Sequence, residues 1–236
     1  MVGKLEAGPA QAPPRPGDDP PAAPPTGYTI VLPPGWRRIP VRQGSDEAIR
    51  GIVDEVFRKL PRELPRDRVA PYRMELEGRL RAMVARASRN AAIDLYLPIE
   101  MMHGSPVAAS FVVSEFSLNS VETLDPELIV AKLASADGET RPVTVHGALA
   151  ARSESVAGPD APNEIDGASR RVDYAVSVPA DPDRWLAISF STLGGGDPDD
   201  GFAKVLVELF DAMMSTFRWT GPGPGPEPGH AEPRSR

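Results

Sequence analysis

Three histidines, at positions 103, 146 and 230, are the side chains of this chain best suited to moving protons near neutral pH. His103 and His146 are 43 residues apart, and neither stands in an H-x-x-x-H or H-x-x-E arrangement. No metal-ligating spacing is present, so neither a metal ion nor a cofactor is expected. His103 belongs to the turn-like run Met101-Met-His-Gly-Ser-Pro106, His146 reads as a half-buried strand residue, and His230 lies near the C-terminal end. Ser105 follows His103 by two residues, but no G-x-S-x-G setting exists for a serine nucleophile, and turn chemistry accounts for the pair. No catalytic residue is therefore assigned. Gly194-Gly-Gly196 ahead of a helical pattern lacks the G-x-x-x-x-G-K-[ST] run of a phosphate loop, and Asp197, Asp199 and Asp200 would repel phosphate. These acids lack the register of an EF-hand and read as helix-capping residues.

One local feature opposes the charge of the whole. Ten Lys and Arg against four Asp and Glu lie between Arg58 and Arg89, a net of +6 in a chain whose formal net charge is −7. Glu75–Arg79 and Glu77–Arg81 are helix pairs at i,i+4, which suits a solvated helix surface. The other reading is a docking patch for an acidic protein partner. Arg86 and Arg89 have alanine rather than an acid four residues earlier, and with Arg73 they are the candidate partner-binding residues. Nucleic acid is not expected, because Glu75 and Glu77 interrupt the array and the remainder of the chain repels phosphate.

The elements that must position these residues occupy an ordinary globular composition. Of 236 residues 41% are hydrophobic and 25% charged, which is enough to build a core, and cysteine is absent, which removes disulfides, thiolate chemistry and zinc ribbons. No apolar run approaches the roughly 20 residues of a membrane-spanning helix, and the N-terminus lacks a secretory pattern, so no membrane association and a cytoplasmic location are expected. Eight prolines fall in residues 1–26 and five in 221–236, where large apolar side chains are scarce. These two segments read as disordered tails around one domain at 27–220. The sequence assigns no oligomeric state.

Within the domain, Tyr28–Leu32 and Trp36–Val41 read as extended pieces. A helix capped by Ser45 or Asp46 carries Ile49, Ile52, Val53, Val56, Phe57 and Leu60 on one face, and Pro61 stops it. A second helix begins near Arg68 to Pro71 and runs to about Asn90. Further extended segments are predicted at Ala91–Leu97, Val107–Leu118, Pro142–Ser153, Arg171–Val178 and Trp185–Thr192, with a helix at Asp125–Ala136. The fifth and fourth of these should form a hairpin across Pro179–Arg184. A last helix shows Phe202, Val205, Leu206, Leu209, Phe210 and Met213 at helical spacing, and Thr216–Trp219 follows as a short strand. Strands in consecutive groups indicate an α+β fold, a mainly antiparallel sheet flanked by helices.

Leu32-Pro-Pro-Gly-Trp36 after a short strand, and Trp185–Thr192 leading through Gly194–Asp200 to a terminal helix and Thr216-Phe-Arg-Trp219, resemble the PsbP-like superfamily. That group includes the photosystem II extrinsic protein, a eukaryotic Ran-binding factor and bacterial proteins of the LpqN type. The resemblance implies an α/β/α sandwich, generally without enzymatic activity, and carries over no functional residue. Usage rich in Ala, Pro, Arg and Gly suggests an actinobacterial genome. The expectation is a non-catalytic protein-interaction or accessory protein, linked to bacterial specialised secretion. The alternative is a small-molecule-binding or hydrolytic protein with a site between sheet and helices.

Overall fold

The computed structural model describes residues 23–59, 66–102, 104, 106–118, 140–159 and 167–221. The two tails up to residue 22 and from 222, the helix expected at 125–136, His103, Ser105 and His230 lie outside the described residues. The fold is α+β, as the grouping of strands implies. Seven strands form one antiparallel sheet: β2 (Trp36–Pro40), β3 (Ala92–Pro98), β4 (Ala109–Ser117), β8 (Asp181–Thr192), β7 (Ser169–Val178), β6 (Ala148–Ala157) and β5 (Arg141–Val145), in that spatial order. β1 (Gly27–Thr29) and β9 (Arg218–Thr220) pair as a separate two-stranded ribbon. α1 (Ser45–Arg58) and α2 (Arg66–Arg89) pack over the β2–β3 end of one sheet face, and α3 (Gly201–Ser215) covers the other face.

The period-2 alternation of the strands assigns their side chains to these two layers. Phe111, Val113, Val172, Val176, Ile188 and Phe190 turn towards α3 and meet Leu206, Phe210 and Met213. Phe210 is completely buried and stacks on Phe190 with ring centroids 4.8 Å apart. Burial of such a side chain stabilises by roughly 1.5–3 kcal/mol. On the other face Ile39 and Leu95 meet Ile49, Ile52 and Val53 of α1 and Leu80, Val84 and Ala87 of α2.

Several local expectations change on folding. α1 is preceded by Gly44 in the left-handed region, with no side-chain cap from Ser45 or Asp46. Pro142–Ser153 is a hairpin rather than one extended segment. His146 (φ 45°) and Gly147 (φ 78°) both take positive φ, the requirement of the two-residue turn that matches strand twist. The β7–β8 hairpin turns tightly at Pro179-Ala180, so β8 begins at Asp181. α3 buries Ala203, Leu206, Val207, Phe210, Met213 and Met214, a face rotated from the one read in sequence, and Val205 is 53% exposed. Pro25 and Thr26 join the folded body: the Thr26 N–H donates to the Thr220 carbonyl at 3.0 Å, and Arg184 donates to the Pro25 carbonyl.

Candidate functional site: a cleft between helix α2 and the sheet

The two faces of the central strands are built from side chains of different size. In register across β6, β7, β8 and β4, the face towards α3 reads Glu154, Val172, Phe190, Phe111 and then Arg152, Tyr174, Ile188, Val113. The opposite face reads Ser155, Arg171, Ser191, Ser110, then Ser153, Asp173, Ser189, Val112, then Ala151, Ala175, Ala187, Ser114. Serine and alanine are too short to fill the layer between a sheet and a helix. α2 shortens in the same direction, its buried stripe passing from Leu80 and Val84 to Ala87.

The consequence is a cleft of about 360 Å³. Met83, Arg86 and Ala87 of α2 with Asn90 just past its end form its wall, and Ser110, Ser114, Arg171, Asp173, Ser189 and Ser191 line its floor. Ser110 and Ser191 continue into a neighbouring hollow with Leu97, Val107 and Leu193, while Asp173 and Ser189 continue towards Phe116 and Ala151. The volume is within the range of small-molecule sites.

Arginine pairing sets this cleft apart. Among the described residues, the other arginines that are buried or half-buried have partners. Arg37 bonds Glu55, Arg73 pairs with Asp54, and Arg184 pairs with Glu115 at 2.6 Å. Arg152 donates to Asp211 and Glu154, Arg170 to Glu154 and Asp199, and Arg86 is engaged as well. The Arg171 side chain, half-buried on the cleft floor, makes no hydrogen bond or ion pair among the described residues, and the same holds for the side chain of Asp173 two residues on.

The remaining charged clusters are closed networks that hold the fold. Arg152, 5% exposed, is held by Asp211, which also accepts from the Tyr174 hydroxyl at 2.7 Å. Burial works against the Glu154 carboxylate, but hydrogen bonds from Arg152 and Arg170 outweigh it and hold its pKa below the usual value. Asp94, 2% exposed, accepts from Arg38 at 2.6 Å and from the Tyr28 hydroxyl at 2.5 Å. Burial pushes the Tyr96 hydroxyl up to about 12 and raises that of Tyr28 further.

The residues singled out in sequence are not brought together. Arg73 faces α1, where it pairs with Asp54 and lies 5.9 Å from the Phe57 ring. Arg86 borders the cleft, and Arg89 is exposed on the helix surface. Arg73 and Arg86 point about 140° apart around the helix axis. His146 sits in the β5–β6 turn, where its Nδ1 accepts from the Trp219 N–H at 3.1 Å. Asp200 caps α3, accepting from Ala203 N–H at 2.5 Å and Gly195 N–H at 2.8 Å, and these two bonds lower its carboxyl pKa. Asp197 accepts from the Asp199 N–H at 2.9 Å and Asp199 pairs with Arg170, so the three acids serve three different local contacts. Among the described residues, no group of three or more His, Cys, Asp or Glu converges as a metal site. No described helix is long and apolar enough to cross a membrane.

Arg171, Asp173, Ser189 and Ser191 escaped the sequence reading, which followed the apolar positions of β7 and β8. The signal was the complementary set: the same alternation that aligns Val172 with Tyr174 aligns Arg171 with Asp173 on the other face. No family model and no curated protein matches this chain. A crystal structure of a protein from Bacteroides thetaiotaomicron is similar over 57% of this chain and 40% of that chain, with 13% identity and a TM-score of 0.35. A likeness of that size carries no argument.

Proposed function

We propose that the protein acts by binding rather than turnover, as a non-catalytic accessory protein, and that the cleft between α2 and the sheet is its binding site. The observation that supports this is that the Arg171 side chain has no hydrogen-bond or ion-pair partner among the described residues, where the other sheltered arginines have partners. A partly desolvated guanidinium without a counter-charge is costly, and a bound molecule can supply one. The resemblance to the PsbP-like superfamily is part of the same proposal, since its members are generally non-enzymatic.

Amide NMR with a set of small polar fragments tests the location. Shifts should concentrate in β4, β7, β8 and the last turns of α2, and vanish in Ser189→Trp, which places a large ring at an exposed floor position. Shifts elsewhere, or shifts that survive the tryptophan, would remove the cleft from consideration.

A second reading, docking of an acidic protein, is favoured by the flank of α2 beside the cleft. Tyr72, Arg79 and Arg86 recur every seven residues and so fall on one side of the helix. Tyr72 is 68% exposed, and tyrosine and arginine are enriched where proteins bind one another. The Tyr72→Ala, Arg79→Glu double variant should lose an acidic protein captured at low salt. Retention of that protein would return the flank to a solvated surface.

A further inference from the structure

We infer that the cleft takes a small organic acid carrying a hydroxyl or ammonium donor a few bonds from its carboxylate. This rests on the cleft being the binding site, and it follows from the order of groups along its floor. Arg171 and Asp173 are alternate residues of β7 and project from the same face, about 6–7 Å apart along the strand. The planar guanidinium fork of Arg171 matches a carboxylate through two parallel hydrogen bonds. An ionised Asp173 only accepts, so it calls for a donor on the same ligand. Neither side chain is engaged by the other or by any other described residue, so both are available to a ligand.

The neighbours fit an amphoteric molecule at both positions. Arg171 has Ser155 and Ser191 in register on either side, and Asp173 has Ser153 and Ser189, hydroxyls that can donate or accept. Val112, Ala175 and Ala187 beyond them accommodate a short hydrocarbon part. Asp173 opposes a phosphate or other anionic group at its own end of the floor, and a cleft of about 360 Å³ is at the small end of ligand sites.

The test uses the full chain and four probes, malate, aspartate, succinate and ethanolamine, with calorimetry for affinity and amide NMR for location. Malate and aspartate should bind in the cleft, succinate at least tenfold more weakly because it lacks the donor, and ethanolamine not detectably. Arg171→Gln should weaken malate and aspartate at least tenfold, and Asp173→Asn should bring them to the level of succinate. Arg171→Lys, which keeps the charge and loses the fork, should also weaken both should the glutamine variant fail to fold. Equal binding of succinate, or unchanged affinity in the Arg171 variants, overturns the ligand class. If none of the four binds while other fragments shift the cleft amides, the ligand class fails and the binding site stands. If no compound of either set shifts those amides, both fail.

Discussion

Arg152 on β6 grips the Asp211 carboxylate on α3 with two parallel hydrogen bonds, Nε to Oδ1 at 3.0 Å and Nη2 to Oδ2 at 2.9 Å. The pair joins the sheet to the helix at a point where Arg152 is 5% exposed, with Tyr174 donating to the same carboxylate. Removing Asp211 leaves a guanidinium that water scarcely reaches.

Asp211→Ala should therefore destabilise by about 3 kcal/mol, the low end for a broken buried pair because Glu154 still holds Arg152. For a domain of this size that is a fall in Tm of roughly 6–12 °C. The double variant Asp211→Leu, Arg152→Met should recover much of the loss, since it removes both charges. Urea denaturation of the three proteins decides this, and a double variant as unstable as the single one would refute the network.

The face that α3 buries separates two valines two residues apart. Val207 is 6% exposed and Val205 is 53% exposed. Val207→Asp should cost several kcal/mol by burying a charge without a partner, while Val205→Asp should stay within about 0.5 kcal/mol. Comparable losses from both would mean that α3 is rotated from the position described here.

Alkaline pH should unfold the protein through its buried phenols. Burial raises the pKa of Tyr28, with Tyr96 and Asp94 adding to the effect, and pushes Tyr96 up to about 12, whereas the unfolded chain ionises near the ordinary value of 10.0. A folded pKa above the unfolded one stabilises fully below about pH 10, and that stabilisation is lost as pH rises through 10 towards 12 and beyond. Urea midpoints should fall over this interval, and less steeply for Tyr28→Phe than for wild type. Parallel slopes would place the loss elsewhere.

Much of the architecture was legible in residue order because it depends on local rules. Helical spacing marked α1 and α3, alternation marked β7 and β8, and the acidic run before α3 announced the cap that Asp200 provides. Grouped strands indicated an antiparallel sheet with flanking helices. Even the contrast between Val172 and Arg171 is a property of the sequence, since a period of two assigns opposite faces. The cleft is different in kind. It exists because β8 pairs with β4 on one side, more than 60 residues away, and with β7 on the other, which sets Ser110, Ser191 and Arg171 side by side. Alternation assigns a side chain to a face and says nothing about which strand lies beside it. That choice belongs to the packing of the whole sheet against α3, where Phe111, Phe190 and Phe210 interlock and leave the short side chains of the same strands to floor an open site.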